Sequence, residues 1–201
     1  MPIDFTFTRR IELDVPRYDL KTIDNVQVDA VATEWQDIPA IRIGPNQPVP
    51  RGRKHFSGAD DLEADLRLAV SKTMLHVFVD VRDPDFVDNG KDSYFLSDSF
   101  NLVLQAPPWQ PQAAVPTILA FGASGRATPN VPHRVVRRDG EASIPLAALP
   151  FAKRNEGPLE AQFEVVLVDR DPGQDPSLHR LWTNHLRANV ADYGSLRVLV
   201  K

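Results

Sequence analysis

The sequence predicts an all-β protein, namely a two-sheet antiparallel β-sandwich of the jelly-roll type. Apolar and polar residues alternate in one segment after another, which is the pattern of strands that bury one face. Eighteen prolines against ten glycines favour short strands and structured loops over helices, and no segment has a sustained helical period. At 201 residues, we expect a single domain that spans residues 1–201.

The strongest alternation lies in three consecutive segments, at 62–68, 75–81 and 99–104. One set of alternate residues in the first two segments is predicted to point into the core: Leu62, Ala64, Leu66, Leu68, Leu75, Val77, Val79 and Val81. The opposite face carries acids, arginines, His76 and Phe78. This face is either a solvated surface or a shallow polar floor for binding.

The remaining elements are predicted in chain order. Residues 5–13 alternate and form an N-terminal edge strand, whereas 18–29 are less regular. Trp35 precedes a strand near 38–43, and the proline-rich, basic stretch 44–57 is a loop. Further strands are expected at 115–121, 131–136 and 141–150, the last running into one helical turn, and at 163–169, 181–183 and 195–200. The segment 163–169 is almost entirely apolar, which is typical of a central strand covered on both faces.

Composition excludes several kinds of function. Without cysteine, the chain has no disulfide, thiolate metal site or thiol nucleophile. A net charge of −4 argues against nucleic acid or an anionic membrane as a partner. We find no signal-peptide pattern at residues 1–5 and no apolar run long enough for membrane insertion.

The order of several short motifs resembles carbohydrate-binding module family 9 and the wider group of DOMON-like β-sandwich domains. The resemblance covers residues 23–200, and residues 1–22 would add an N-terminal strand. The motifs are Val28-Asp29-Ala30 before Glu34-Trp35, the paired strands 65–70 and 75–83, the Asp-Ser strand 97–104, the Ile-Pro-Leu turn 142–149 and the closing strand 193–196.

The resemblance implies a sugar site in which two aromatic side chains clamp a terminal sugar and polar side chains bind its rim. Flat rings suit the C–H faces of a sugar, and planar polar groups suit its hydroxyls. Matched by position, Phe95 and Trp182 take the clamp positions, Asn101 takes that of a carboxylate and His179 that of an asparagine. We add three further candidates: Tyr94 and Trp109 for stacking, and Arg67 for the rim.

Two acidic loops suggest calcium as a candidate cofactor. Asp83, Asp85 and Asp88 precede Asn89-Gly90, and Asp169 and Asp171 precede a Pro-Gly turn. Calcium takes six to eight oxygen ligands, but neither loop has the spacing of an EF-hand. The alternative is ordinary turn chemistry, in which aspartate and glycine form tight turns.

The sequence therefore predicts a non-catalytic carbohydrate-binding module. The first alternative is a sandwich that serves as an accessory or interaction domain without sugar binding. The second alternative is a glycoside hydrolase, which would need two carboxylates that face each other. The candidates for such a pair are Glu63, Asp65 and Asp80. From the resemblance alone, we expect a location outside the cytoplasm, extracellular or periplasmic, and association with a larger hydrolase or a cell-surface assembly.

Overall fold

The computed structural model describes residues 17–58, 60–85, 87–88, 97–107, 109–110, 116–122, 127–128, 132–136, 139–153, 155–181 and 194–198. Within these residues the protein is an all-β sandwich, as predicted. The strands are β1 (Arg17–Thr22), β2 (Ile41–Ile43), β3 (Glu63–Val70), β4 (Met74–Arg82), β5 (Ser99–Gln105), β6 (Thr117–Gly122), β7 (Ala127–Thr128), β8 (His133–Val136), β9 (Asp139–Pro145), β10 (Ala152–Lys153), β11 (Leu159–Asp169), β12 (Ser177–Arg180) and β13 (Gly194–Val198). Helical structure in the described part is limited to 3₁₀ turns at Ala32–Trp35, Arg53–His55 and Leu146–Ala148.

The strands form two sheets that share one strand. Sheet A has the order β7-β6-β5-β11-β13-β1, and sheet B has the order β1-β3-β4-β9-β8. Residues 17–20 of β1 pair with β13, and residues 21–22 pair with β3, both in parallel. The other pairings between described strands are antiparallel, so the antiparallel prediction is confirmed everywhere except at β1. Because β1 pairs with a strand of each sheet, the hydrogen-bonded strands form one continuous series that nearly closes on itself.

The core lies between the two sheets. All eight residues predicted to point inward from β3 and β4, or just before β3, belong to it. Facing them from sheet A are side chains such as Leu102, Phe163 and Leu167. Phe121 of β6 packs directly on Gly140 of β9, where a Cβ atom would come within 2.8 Å of the ring. A residue with a side chain at this position would therefore force the two sheets apart.

The outer face of sheet B is covered by the segment 23–38. Trp35 is fully buried and stacks on Phe78 with ring centroids 5.6 Å apart. Ile23 and Ile38 complete this second apolar cluster. The indole of Trp35 therefore lies inside the protein and has a structural role.

One side chain fastens this segment to the sheet. Glu141 of β9 accepts hydrogen bonds from the backbone N–H groups of Asp29 (2.9 Å) and Ala30 (2.8 Å) and from the indole N–H of Trp35 (3.0 Å). Ala30 adopts a φ of 60°, a backbone conformation that residues other than glycine seldom take. Burial raises the pKa of Glu141.

Two sequence predictions differ from the structure in position, and a third cannot be compared. The strand expected at 181–183 lies earlier, at Ser177–Arg180, because it pairs with the end of β11. The strand expected at 163–169 begins four residues sooner, at Leu159, where it pairs with β13. The strand expected at 5–13 lies outside the described residues.

In the described part of the chain, no helix has the length and apolar character needed to cross a membrane.

Candidate functional site

The candidate site is a set of polar side chains on the outer face of sheet A. Phe163, Val165 and Leu167 of β11 point into the core, so the intervening residues Gln162 and Glu164 point away from it. Strand register adds their neighbours. Asn101 of β5 and Arg180 of β12 lie opposite Val166, one on each side, and Gln105 lies opposite Gln162. We call these five residues the polar face: Asn101, Gln105, Gln162, Glu164 and Arg180.

A buried carboxylate and a buried guanidinium form the middle of the polar face. Glu164 is 0% exposed and Arg180 is 6% exposed. One oxygen of Glu164, Oε1, accepts hydrogen bonds from the backbone N–H groups of Val165 and Leu181, each 2.9 Å long. The other, Oε2, lies 3.6 Å from Nε of Arg180. Glu164 therefore fixes the chain at the end of β12 and balances the charge of Arg180.

Two amide side chains, those of Asn101 and Gln162, are buried on the same face as this pair. Asn101 is 1% exposed, and its Nδ2 donates to Oγ of Ser99 (3.1 Å) and to the carbonyl of Val166 (3.2 Å). Gln162 is 8% exposed, and among the described residues no group donates a hydrogen bond to its Oε1. Buried polar atoms are nearly always paired, and Oε1 of Gln162 has no such partner, whereas Oε2 of Glu164 and Nε of Arg180, which make no hydrogen bond either, face each other as an ion pair.

A second polar group, the carboxylate cluster, lies at one end of the sandwich. Asp83, Asp98 and Asp169 are all buried, and each offers an oxygen within 4.8 Å of the others. A cavity of about 10 Å³ beside Asp83 and Asp98 is large enough for a single water molecule or small ion.

Asp98 is the most deeply buried of the three carboxylates. It accepts hydrogen bonds from the backbone N–H groups of Val87 and Arg170, the latter 2.5 Å long. Burial, and to a lesser degree the negative charges of Asp83 and Asp169, nevertheless raise the pKa of Asp98 to about 8. Such crowding of acids would be relieved by a proton or by a bound cation.

The structure brings together only part of the predicted calcium ligands. Asp83 and Asp169, from two separate loops, meet in the carboxylate cluster, and Asp98 joins them although it belongs to neither of the two predicted calcium loops. Asp85, Asp88 and Asp171 are not members of this group. Burial, followed by the charges of nearby acids including Asp169, raises the pKa of Asp171. Calcium stays a prediction for this end of the protein.

His179 lies on the core side of sheet A, not on the polar face. It is 1% exposed, its Nε2 lies 2.7 Å from Oγ of Ser177, and its ring meets Phe56 edge to face. Ser177 in turn donates to Asp169 over 2.9 Å. Oδ2 of Asp169 also lies 3.8 Å from Nε2 of His179, the same ring nitrogen that faces the serine, whereas in a serine-nucleophile triad the aspartate and the serine contact opposite nitrogens of the ring.

The other predicted sugar contacts fall in three places. Asn101 lies on the polar face. Arg67 of β3 is on the outer face of sheet B, opposite Phe78, where neighbouring acids and arginines form ion pairs such as Arg82–Glu63 at 2.7 Å. Trp109 is 37% exposed in the turn that follows β5. The remaining three aromatic candidates lie outside the described residues: Tyr94, Phe95 and Trp182.

Sequence reasoning missed Gln162, Glu164 and Arg180. The signal for the first two was present, since glutamine and glutamate occupy alternate positions of β11 between apolar residues. That strand was interpreted as apolar on both faces, which hid the alternation. Arg180 had no such signal, because its strand was expected a few residues later.

Comparisons with known structures agree on the architecture. The chain is similar to a carbohydrate binding module family 9 protein from Caldicellulosiruptor kristjanssonii in complex with cellotriose, at a TM-score of 0.64 and 15% identity, over 90% of this chain and 93% of that one. The same kind of module from that organism, in complex with glucose, gives 0.64 and 16%, over 92% and 96%. The fold is that of carbohydrate-binding module family 9.

A third similar structure extends the comparison to another organism. It is described as a putative carbohydrate-binding protein from Bacteroides uniformis ATCC 8492, and it matches at a TM-score of 0.59 and 11% identity, over 92% of this chain and all of that one. No family model and no curated protein sequence matches the chain. At these identities the family-9 likeness concerns the fold, so the site has to be argued from this chain's own residues.

Proposed function

We propose that this chain is a non-catalytic carbohydrate-binding module that holds a sugar on the polar face of sheet A. The observation that carries the proposal is the buried set of Asn101, Glu164 and Arg180 on a face turned away from the apolar core. Burying a charged group is costly unless it is paired, and here a carboxylate and a guanidinium are buried as a pair on the side of the sheet away from the apolar core. A ligand rich in hydroxyl groups would use these side chains.

The chemistry of the three side chains suits a sugar. A hydroxyl group both donates and accepts, so it needs acceptors such as the Glu164 carboxylate and donors such as the Arg180 guanidinium. The planar fork of Arg180 can bind two neighbouring hydroxyls at once. In this proposal Arg180 takes the role that the sequence suggested for Arg67.

The stacking part of the site is assigned from sequence alone. Trp182 follows Arg180 by two residues, and Tyr94 and Phe95 precede the buried Asp98 by four and three residues, respectively. We propose that Trp182 and one of these rings cover the faces of the sugar, since aromatic surface complements its C–H groups. Association with a hydrolase or a cell-surface assembly stays a prediction.

Isothermal titration calorimetry with glucose and cellotriose, the ligands in the two similar structures, tests the proposal. We expect the wild type to bind at least cellotriose. Arg180→Lys should weaken binding about tenfold or more, because it keeps the charge beside Glu164 but removes the two-pronged geometry. Arg42→Lys, at a surface ion pair with Asp65, is the matched control and should bind like the wild type.

Two results would overturn the proposal. The first is a correctly folded wild type that binds neither sugar, which would leave an accessory or interaction domain with this fold. The second is equal binding by the wild type and Arg180→Lys, which would move the sugar away from the polar face.

A further inference from the structure

We infer that residues 5–13 of this chain dock into an open groove beside β1 and close the sandwich there. The groove has a volume of about 170 Å³ and is lined by β1, by Leu68 of β3 and by the chain at the start of β2. Arg17, where the described part of the chain begins, forms part of its wall. The inference does not depend on sugar binding, because none of the groove residues belongs to the polar face.

The groove exists because β1 passes from one sheet to the other. Residues 17–20 of β1 pair with β13 of sheet A, whereas residues 21–22 pair with residues 69–70 of β3 in sheet B. The other strand on this side of β3 is β2, which pairs with residues 64–66. Leu68 therefore lies between two strands that do not meet, and the groove opens at that gap.

The floor of the groove is apolar and continuous with the main core. Leu20, Ile41 and Leu68 belong to the core between the two sheets. Tyr18 packs against that core, with its ring edge to face on Phe163 at 5.6 Å between the centroids. A cavity of about 150 Å³ with apolar walls can hold a benzene ring. The groove therefore has room for one large apolar side chain against the core.

The segment 5–13 has the pattern and the position to supply that side chain. Its apolar residues recur at alternate positions, so an extended strand would carry them on one face: Phe5, Phe7, Ile11 and Leu13. Residues 14–16 connect the segment to Arg17 in the groove wall. An extended chain spans at most about 3.3–3.6 Å per residue, so Leu13 lies within roughly 14 Å of Arg17. This reach covers the length of β1 along the groove.

The charges at the rim and the tether favour this segment over other occupants. The rim carries both signs, at Arg17, Asp19 and Lys21, and the polar residues of the segment also carry both, at Arg10 and Glu12. A ligand of one charge gains little at such a rim, whereas opposite charges on neighbouring strands attract in pairs. A second copy would offer the same segment, but the chain's own segment is tethered to the groove and reaches an effective concentration of the order of millimolar.

Urea unfolding tests whether the segment is docked. The apolar double variant, Ile11→Ala/Leu13→Ala, is compared with a matched control on the polar side of the same segment, Thr6→Ala/Thr8→Ala. We expect the apolar double variant to raise the unfolding equilibrium constant at least about tenfold, because two apolar side chains lose their contacts with the core. The control should change this constant less than about threefold. An apolar double variant that unfolds like the wild type overturns the inference.

A spin label tests where the segment docks. Because the chain has no cysteine, a single Thr8→Cys substitution can carry a nitroxide. In nuclear magnetic resonance spectra we expect the nitroxide to broaden the amide signals of Leu20, Ile41 and Leu68 more than that of Val135 in β8. The broadening should decrease when the same label is placed on the apolar double variant. The tether is identical in both proteins, so this difference reports docking and not mere proximity along the chain.

Every other result of the labelling experiment overturns the inference. Equal broadening of the groove signals in both proteins means that the segment is not docked. Broadening centred on another edge of the sandwich, such as β8, places the segment elsewhere. Broadening of a nitrogen-15-enriched copy without nitroxide, mixed with labelled protein, assigns the groove to the segment of a second copy. Cellotriose affinity should be the same in all variants, so a failure of the proposed function would leave this inference standing.

Discussion

The two outer faces of the sandwich each bury a glutamate completely, but they use it differently. On sheet B, Glu141 accepts three hydrogen bonds from the segment that covers it. On sheet A, Glu164 accepts two from Val165 and Leu181 at the end of β12 and lies beside Arg180. The first carboxylate fastens a loop to the sheet, and the second positions a cation on a face that the apolar core does not use.

This difference shows how a buried carboxylate with a purely structural role can be distinguished from one that belongs to a candidate site. Around Glu141, the outer face of sheet B is covered by the chain's own apolar residues, with Trp35 and Ile38 packed on Phe78. The outer face of sheet A presents a glutamine, Gln162, whose buried oxygen has no donor among the described residues. Both faces bury a glutamate completely. Among the described residues, only the outer face of sheet A has a buried side-chain oxygen without a hydrogen-bond donor.

The largest expected effect is on stability, from the face that is closed. Glu141→Ala leaves three N–H donors without an acceptor, and we expect it to lower the free energy of unfolding by about 3–5 kcal/mol. Urea denaturation measures this, and glucose and cellotriose affinities of the folded variant should be unchanged. A loss of sugar affinity at full stability would contradict the comparison, because it would place the ligand on sheet B.

The pH dependence of stability, measured on the wild type and on Glu141→Gln, sharpens this prediction. Burial raises the pKa of Glu141 above its usual value, so the folded protein holds a proton that the unfolded chain releases. The contribution of this group to stability is therefore greatest at low pH and decreases as the pH rises from about 4.5 through the folded pKa. Glu141→Gln should remove that part of the pH dependence, and an unaltered profile would contradict the assignment.

The next effect concerns the carboxylate cluster, which belongs to neither face. If calcium binds Asp83, Asp98 and Asp169, calcium at a hundredfold excess over its dissociation constant should stabilise the protein by about 2.7 kcal/mol. Thermal unfolding in calcium and in EDTA measures this shift. Asp98→Asn should abolish the response, and an identical melting temperature in calcium and EDTA would refute the calcium prediction.

The proton competes with calcium in that cluster and provides a control. With a pKa of about 8 when folded, Asp98 holds a proton at neutral pH. In EDTA, its contribution to stability should be lost as the pH rises from about 4 to 8. Calcium should reduce this loss, because it takes the place of the proton, and stabilisation by calcium should therefore increase between pH 6 and pH 8.

The smallest expected effect is at Trp109, which stands at the end of β5 beyond Gln105. Because its ring is more than one-third exposed, Trp109→Ala should change the free energy of unfolding by less than about 0.5 kcal/mol. We expect it to weaken cellotriose binding severalfold, since an exposed indole complements the C–H groups of a sugar. Equal affinities in both proteins would remove Trp109 from the site.

Much of the fold was predictable because period-two alternation reports burial directly. The inward residues of β3 and β4, such as Leu66 and Val77, were identified from the pattern alone. The parallel pairing of β1 was not predicted, since alternation indicates which face of a strand is buried but not which strand is its neighbour. The end of β12 was misplaced because a four-residue strand offers too few residues for a pattern.

The candidate site was less predictable, because it depends on strand register. Asn101 was identified, but placing it on the same face as Arg180 requires knowing that both lie opposite Val166. Similarly, Asp83 and Asp169 were assigned to two separate calcium loops, and only the folded chain brings them together with Asp98. Contacts between residues far apart in sequence cannot be derived from local spacing.

The most direct test of the central claim is a nuclear magnetic resonance titration with cellotriose that follows the side-chain amide signals. We predict that the amides of Asn101, Gln105 and Gln162 shift together as ligand is added, while those of Gln36 and Gln27 beside sheet B stay unchanged. Shifts confined to the sheet B signals, or no shift in any of them at saturating cellotriose, would contradict the claim that the outer face of sheet A binds the sugar.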